Sequence, residues 1–314
     1  MAVWHSSSRI ATAALVALVV LDVALVATAL RSTQTPGIDT SPVSEPSVPS
    51  HLSSVAPATA SASPSSTSLR TSAGAPLQTM LVALDNRRAW RVGAGSCSAG
   101  GATLATTVDG GKTWASGNPK LPRIVRVRPT DNRAAFIVGA DANCAAEVKD
   151  TSDGGGTWSL GGYVAQTWFR DPKNPLVVRA PGAAMSEPCG KRAVVDLAVL
   201  RAGSARVLCA DGLVRSTTVN GSVWTDVGKV EGAVALAVGT LDPAQTFVAR
   251  LGARDCAGVQ ILRVGQQVAT SCVPASIPQN PGQIAMSLIK GGGWLVVGKA
   301  TLRSTDNLLT WRAS

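Results

Sequence analysis

Histidine, glutamate and tyrosine are scarce in this sequence, and their scarcity limits the chemistry that the chain can perform. Both histidines, His5 and His51, lie in the first 75 residues. The rest of the chain therefore offers no Ser-His-Asp triad, no Cys-His pair and no imidazole ligand for a metal. From the sequence we predict no catalytic residues, no bound metal and no cofactor.

Aromatic residues are also few, at 4% of the sequence, so a folded core must be built from valine, leucine, isoleucine and alanine. Glycine is abundant, with 31 residues, and valine-rich runs are repeatedly broken by glycine, asparagine and aspartate. β-Branched residues favour strands, and these breakers favour turns. The composition therefore predicts an all-β fold.

The chain is strongly basic, and the charge lies after residue 75. All but three of the 29 lysines and arginines, and all but three of the 19 aspartates and glutamates, are found there, so this part alone carries the net charge of +10. A basic domain attracts anionic glycans, phosphate polymers or lipid surfaces, although the same charge also serves solubility alone. We predict no nucleic-acid partner, because aromatic residues for base stacking are lacking.

Cysteines too are confined to the part after residue 75. An even number of cysteines in an exported domain predicts up to three disulfides. Their spacing includes no C-x-x-C motif, which argues against a thiolate zinc site. We expect near neighbours to pair, with Cys256–Cys272 the first pair expected. The six candidates are Cys97, Cys144, Cys189, Cys209, Cys256 and Cys272.

An apolar segment near the N-terminus indicates the compartment. Residues 10–30 contain a single charge, Asp22, and about 20 apolar residues span a bilayer as a helix. We predict a single-pass membrane anchor at 10–30, preceded by a short cytoplasmic stretch at 1–9, because the run is longer than a usual signal-peptide core. The alternative is a signal peptide cleaved at Ala27-Thr28-Ala29, which would leave a secreted protein. Both alternatives place the rest of the chain on the extracytoplasmic side.

Residues 31–75 are dominated by serine, threonine, proline and alanine and have almost no large apolar side chains. Such a segment cannot bury enough surface to offset its chain entropy. We predict a disordered stalk that holds a folded domain, residues 76–314, away from the membrane.

An eight-residue pattern, [Ser/Thr]-x-Asp-x-Gly-x-Thr-Trp, is repeated in that domain. Residues 107–114 and 151–158 match it fully, residues 304–311 lack the glycine, and residues 217–224 lack the aspartate and the threonine. The positions that we predict to be structural are Thr107, Asp109, Gly111, Thr113, Trp114, Thr151, Asp153, Gly155, Thr157, Trp158, Trp224, Ser304, Asp306, Thr310 and Trp311.

The chemistry of this pattern is that of a hairpin turn. The aspartate accepts hydrogen bonds from backbone amides within its own loop. The glycine takes a positive φ that a Cβ would penalise. The tryptophan then covers the sheet as a large apolar plug. Nothing in the pattern requires a substrate.

These repeats resemble the Asp-box, also called the bacterial neuraminidase repeat. In that family the box joins the third and fourth strands of a β-propeller blade. The resemblance implies a propeller over most of residues 76–314. It does not imply an activity, because sialidases, xyloglucanases, sortilin-type receptors and photosystem II assembly factors all carry the box. The closest in character are the non-catalytic assembly-factor propellers, which have a basic surface.

A second set of apolar runs predicts the number of blades. They recur at roughly the 40–50-residue period of propeller blades and are predicted to be the second strand of each. Six runs favour six blades, with five or seven as alternatives. Because the chain ends just after a box, we expect a strand near Pro76–Leu84 to close the ring by pairing with the last blade. The runs are 89–93, 135–139, 175–178, 206–209, 246–249 and 293–298.

Few residues of this sequence match the functional residues of the sialidases that carry the box. Nothing before Thr107 matches the arginine motif that precedes the first box in that family. Tyr163 is the sole tyrosine, and the glutamates of the domain are limited to Glu147, Glu187 and Glu231. A sialidase-like glycoside hydrolase therefore stays the alternative to the function that we predict, a non-catalytic binding or scaffold propeller.

Arginines are concentrated around the first predicted second strand, 89–93, and within residues 123–128. Strand alternation puts Arg126 and Arg128 on one face of their strand, and the first strands of blades line the central channel of a propeller. We therefore predict a basic rim that binds an anionic glycan or an envelope protein. The predicted binding residues are Arg87, Arg88, Arg91, Arg126 and Arg128.

Overall fold

The computed structural model describes residues 75–239 and 245–314. The predicted cytoplasmic stretch, the predicted anchor at 10–30 and nearly all of the predicted stalk lie outside these residues, so those assignments remain predictions. Across the two described ranges, no helix combines the length and the apolar character needed to cross a membrane.

Within the described residues, six antiparallel sheets are arranged as the six blades of a β-propeller. Six blades is the number that the apolar runs favour. Blade 1 contains β1 (Thr79–Ala83), β2 (Ala89–Gly93), β3 (Thr103–Thr107) and β4 (Ala115–Gly117), and blade 2 contains β5 (Arg123–Pro129), β6 (Ala135–Ala140), β7 (Ala146–Thr151) and β8 (Ser159–Leu160). Blade 3 contains β9 (Phe169–Arg170), β10 (Val178–Arg179) and β11 (Met185–Ser186), and blade 4 contains β12 (Val194–Arg201), β13 (Ser204–Cys209), β14 (Leu213–Thr217) and β15 (Thr225–Lys229). Blade 5 contains β16 (Ala233–Val238), β17 (Thr246–Arg250), β18 (Val259–Arg263) and β19 (Ser271–Val273), and blade 6 contains β20 (Ile284–Ile289), β21 (Gly292–Val297), β22 (Ala300–Ser304) and β23 (Arg312–Ala313).

The four eight-residue repeats lie where the resemblance places them. Each one joins the third and fourth strands of a blade, in blades 1, 2, 4 and 6. In each, a backbone amide of the repeat donates to a carbonyl in the turn between the first two strands of the same blade, as Gly110 does to Arg87 at 2.8 Å. The repeats and these first turns therefore lie on one face of the ring, which we call the box face.

The hydrogen bonds inside the repeat are those predicted for a hairpin turn. In the first copy, the Thr107 hydroxyl donates to the Asp109 carboxylate at 2.8 Å and accepts the amide of Gly111 at 3.0 Å. The amide and hydroxyl of Thr113 both donate to Asp109, and the Trp114 indole donates to the carbonyl of Gly111. The second copy repeats this set of bonds.

The glycine of the repeat is required by conformation and by space. Gly155 has a φ of 95°, and a Cβ added there would lie 3.1 Å from Leu104 and 3.5 Å from the ring of Trp90 in the preceding blade. In the third copy Leu308 holds this place with a φ of 69°. Its side chain is buried and packs in the apolar cluster between blades 5 and 6, which offsets the cost of the left-handed backbone.

Acid should weaken the turns that contain an aspartate. Hydrogen bonds from Thr157 hold the pKa of Asp153 well below its ordinary value, and the equivalent threonines do the same for Asp109 and Asp306. A carboxylate whose pKa is lowered by folding stabilises the fold above its unfolded pKa, and that contribution is lost as the pH falls towards the folded pKa. We expect the Tm to fall between about pH 5 and pH 2, and to fall less in Asp153→Asn. Thermal unfolding of both proteins across this pH range tests the prediction, and identical pH profiles would contradict it.

Pairs of tryptophans hold neighbouring blades together. Trp158 of the second repeat meets Trp90 of β2 edge to face, with ring centroids 6.4 Å apart. Trp114 of the first repeat meets Trp294 of β21 in the same way at 6.4 Å. These two repeats therefore place their tryptophan against a tryptophan of the preceding blade, as an apolar joint between two sheets. Trp311 of the third copy instead donates its indole N–H to the Ser271 hydroxyl of blade 5, at 3.0 Å.

The expected closure by a shared strand is wrong. β1 pairs with β2 inside blade 1, and blade 6 is completed by its own β23. Packing and hydrogen bonds outside the sheets close the ring instead, among them a backbone bond from the amide of Gln78 to the carbonyl of Gly282 at 2.7 Å. The Trp294 indole donates to the carbonyl of Asp85 at 2.8 Å, and Arg303 donates to the carbonyl of Asn86 at 2.6 Å. Blade 6 already has its own fourth strand, β23, so it does not need a strand from the N-terminal end of the domain to complete its sheet.

Blade 3 differs from the others because its first described strand corresponds to a second strand. Trp168, just before β9, meets Trp224 of the fourth repeat edge to face at 6.2 Å, as Trp90 and Trp294 meet theirs. Its indole donates to the carbonyl of Ala202 in the first turn of blade 4. The predicted second-strand run 175–178 leads into β10 instead, which corresponds to a third strand.

No strand of the described residues therefore fills the inner position of blade 3, next to β9 and between β5 and β12. We call this the blade 3 inner position. The prediction that Trp168 is a core residue is confirmed, since 1% of it is exposed.

The predicted disulfides are confirmed, with near neighbours paired throughout. The pairs are Cys97–Cys144, Cys189–Cys209 and Cys256–Cys272. The first joins blade 1 to blade 2. Cys209 and Cys272 lie in β13 and β19, and the other four cysteines lie in connections on the face opposite the box face.

Candidate functional site

A cavity of about 420 Å³ lies at the centre of the ring. Its walls come from the inner strands β1, β5, β12, β16 and β20, and from Arg170 of blade 3. Most of the side chains are aliphatic, such as Met80, Val82, Ala198 and Met286. This volume is within the range of small-molecule sites, roughly 300–1,000 Å³. The cavity can admit a small ligand or a short chain segment.

One end of the cavity is closed by the residues that lead into β1. The amide of Leu77 donates to the carbonyl of Val195 in blade 4, at 3.0 Å. Arg170 donates to the same Val195 carbonyl at 2.8 Å and to the carbonyl of Leu77 at 3.2 Å. Both Leu77 and Arg170 are buried. This floor joins blades 1, 3 and 4 and makes the cavity blind.

Asp196 is the carboxylate among the cavity-lining residues. It is partly buried at the cavity wall, where its oxygens accept the amides of Leu197 at 2.7 Å and Leu236 at 2.8 Å. The second bond ties blade 4 to blade 5. Burial raises the pKa of Asp196, while the nearby Arg170 and the two amides act in the opposite direction.

Arg126 bridges blade 2 to blade 3. Its guanidinium donates to the hydroxyl of Thr167 and, at 2.6 Å, to the carbonyl of Trp168. It also lies over the ring of Phe136, 5.2 Å from the centroid. Burial lowers the pKa of Arg126 to about 9, helped by the neighbouring Arg128. The side chain therefore stays cationic at neutral pH, without a carboxylate at ion-pair distance among the described residues.

The open end of the cavity lies on the box face and is surrounded by cations. Two carboxylates in the same turns are already engaged: Asp85 pairs with Arg88, and Asp131 accepts the amides of Arg133 and Ala134. Among the described residues, the mouth therefore has an excess of positive charge. The exposed cations at the ends of the inner strands and in the turns that follow them are Arg87, Arg128, Arg133, Arg201 and Lys290.

The five predicted binding arginines have different surroundings. Arg87 and Arg128 are exposed at the mouth, and Arg88 lies beside them in its ion pair with Asp85. Arg91 lies over the ring of Trp114 at 4.5 Å and belongs to the seam between blades 6 and 1. Arg126 lines the cavity wall. The structure brings Arg87, Arg88, Arg126 and Arg128 to one region and leaves Arg91 apart; a role in binding stays a prediction for all five.

Two residues that define the site, Arg170 and Asp196, were not predicted. Asp196 carries a signal in the sequence, because it is a lone carboxylate within the aliphatic run 194–200. A buried charge is costly unless it is hydrogen-bonded or paired, so such a residue usually has a specific role. Arg170 carries no comparable signal, because its partners come from distant parts of the chain.

Comparisons with known proteins return structural likeness only. No family model matches the chain, and no curated protein matches it. Among solved structures, it is similar to YCF48 bound to a D1 peptide, with 22% identity over 78% of this chain and 67% of that one and a TM-score of 0.29. It is also similar to YCF48 from Cyanidioschyzon merolae, with 14% identity over 77% of this chain and 87% of that one and a TM-score of 0.39. A third is the SapL1 lectin in complex with alpha methyl fucoside, with 13% identity over 78% of this chain and 97% of that one and a TM-score of 0.44.

Proposed function

We propose that this chain is a non-catalytic binding propeller that recognises an anionic partner at the basic mouth of its central cavity. The observation that carries this proposal is the mouth itself, where exposed cations surround a blind cavity and the two carboxylates described in the same turns, Asp85 and Asp131, are engaged. Clustered charge of one sign steers partners of the opposite sign. An anionic glycan polymer and an acidic envelope protein both present clustered negative charges, which such a mouth attracts.

We also propose that the propeller lies on the extracytoplasmic side of a membrane, tethered through residues 10–30. The apolar length of that segment supports the tether. The pairing of all six cysteines supports an oxidising compartment. The stalk at 31–75 would separate the propeller from the bilayer, and cleavage at Ala27-Thr28-Ala29 would release it as a secreted protein.

The repeats support assignment to the Asp-box class of propellers, which we propose on geometry. Three copies have the aspartate, which accepts hydrogen bonds from the Ser or Thr two residues before it and from the Thr four residues after it. The fourth copy keeps the turn through the Thr217 hydroxyl, which accepts the amide of Gly221 at 3.2 Å. These contacts are structural and suit a scaffold.

The arrangement of carboxylates favours binding over glycoside hydrolysis. A glycosidase of the usual kind needs two carboxyl groups flanking the scissile bond, roughly 5–10 Å apart. Among the described residues that line the cavity, Asp196 is the one carboxylate, and both of its oxygens accept backbone amides. Tyr163, the candidate nucleophile of a sialidase, lies outside the cavity lining and is 78% exposed.

Binding to defined polyanions tests the proposed function. The full-length protein in detergent micelles is titrated with polyglutamate and with polygalacturonate, each over a series of salt concentrations. We expect saturable binding that weakens as salt screens the charges, and at least tenfold weaker binding in the variant Arg87→Gln/Arg128→Gln/Arg201→Gln. The two polymers separate a preference for peptide carboxylates from a preference for uronic acids.

A matched variant on the opposite face controls for net charge. Lys120, Lys191 and Lys299 are exposed and lie in connections away from the box face. Lys120→Gln/Lys191→Gln/Lys299→Gln changes the net charge by the same amount. Equal loss of binding in the two triple variants, or no binding at low salt, would overturn the proposal.

A further inference from the structure

The blade 3 inner position is the most unusual feature of the ring. In the other five blades an inner strand lines the central cavity, but at blade 3 the wall is formed by side chains. Arg126 reaches from β5 to the carbonyl of Trp168, and Arg170 reaches from β9 to the carbonyl of Val195 in β12. Two guanidinium groups thus bridge the width that a strand spans elsewhere.

The charge at this position is unbalanced. Arg123, Arg126, Arg128 and Arg170 surround it, and none of them lies within ion-pair distance of a carboxylate among the described residues. The Nε of Arg123 is buried and has no hydrogen-bond partner there. Within the part of the chain that the structure describes, Asp196 is the carboxylate close enough to influence Arg170. Buried cations are stabilised by paired carboxylates, so this position is complementary to an acidic group.

The backbone at this position also favours an extended chain. β9 pairs with β10 on one side, and no strand of the described residues pairs with its other side. This unpaired side borders the cavity at Arg170, and the amides and carbonyls of an unpaired strand edge can bond an extended segment that reaches them. The cavity beside it has aliphatic walls for alternate side chains, and its closed end at Leu77 restricts the length of the segment.

We propose that the blade 3 inner position receives a short, extended, acidic peptide segment of a partner protein, which adds a strand to β9. The segment enters from the box face, its backbone completes the sheet of blade 3, and its carboxylates meet the four arginines. Strand addition of this kind takes affinity from main-chain hydrogen bonds and specificity from alternate side chains. This inference deepens the proposed function and rests on it, because it names the class of anionic partner.

Selection from a library of random linear peptides tests the proposal. The library is displayed on phage and selected against the full-length protein in detergent micelles, with the Ala198→Phe variant as the counter-target. Ala198 lines the cavity, and a phenylalanine there would take up part of its volume and narrow it. We expect peptides with aspartate or glutamate at alternate positions. Their binding should weaken at least tenfold in Arg128→Gln, stay unchanged in Lys299→Gln and be lost when alternate peptide amides are N-methylated.

Two outcomes overturn this inference without touching the proposed function. One is a selection that enriches nothing over the Ala198→Phe counter-target while polyglutamate still binds the basic mouth. The other is enrichment of acidic peptides whose N-methylated forms bind equally well, because such peptides do not pair with a strand edge. Circular dichroism of Ala198→Phe shows whether the variant is folded, and if it is not, Ala198→Leu takes its place.

Discussion

Replacing Trp294 by alanine should cost about 4 kcal/mol of unfolding free energy and open the ring between blades 6 and 1. Trp294 is 0% exposed. Its ring packs against Trp114, its indole bonds the turn after β1, and Arg303 lies over it at 5.5 Å. The loss combines the transfer of a large apolar side chain with the cavity that it leaves. Denaturant unfolding of the purified protein measures it.

Trp90→Ala is the matched control for this prediction. Trp90 is 1% exposed and meets Trp158 in the same geometry, but its seam is also spanned by the continuous chain and by the Cys97–Cys144 disulfide. We expect a similar global loss in both variants. Faster amide exchange in β1 and β20 should appear only in Trp294→Ala. Equal exchange in those strands for the two variants would show that the Trp294 seam is not the closure.

Replacing Arg170 by methionine should also cost about 4 kcal/mol, because it leaves a buried carboxylate without its nearby cation and a carbonyl without its donor. Methionine has a similar length but neither charge nor donors. Arg170→Lys keeps the charge and should lose less. Amide exchange at Leu77 and Gln78 should rise in Arg170→Met, because the cavity floor depends on the bond to Leu77. Unfolding curves and exchange of the three proteins test this.

A double variant separates the two causes of that loss. Asp196→Asn removes the buried negative charge, so in the Arg170→Met background it should recover part of the stability. In the natural background the same change should bring no such gain, because the cation is present. If Asp196→Asn has the same effect in both backgrounds, Arg170 acts through its hydrogen bonds to Val195 and Leu77 alone.

The features that were predictable from the sequence are those encoded within a few residues or by a regular period. The box turns close on themselves, since each bond to Asp109 or Asp153 comes from residues up to four positions away. The second strands recur with an apolar run, which gave the number of blades. The pairing of near-neighbour cysteines follows from the compactness of each blade.

The features that could not be predicted depend on partners far apart in the chain. Arg170 bonds Leu77 across 93 residues, and Trp294 bonds Asp85 across 209. The predicted closure was wrong because a strand near the N-terminus has two ways to reach the last blade, by pairing or by packing, and local pattern does not distinguish them. The absence of an inner strand among the described residues of blade 3 was not predicted, because the apolar run 175–178 resembles a second strand. In the structure Trp168 and the two-residue strand β9 hold that place.

Closure by packing has a consequence for the newly made chain. The face of β1 formed by Leu81 and Ala83 packs against Ala285 and Trp294. During synthesis, which proceeds from the N-terminus, that apolar face lacks these partners until residues 285–294 have been made. Exposed strands of this kind promote aggregation of incomplete chains. Protection of β1 by a chaperone, until residue 294 has been added, would then decide how much of the protein reaches its folded state.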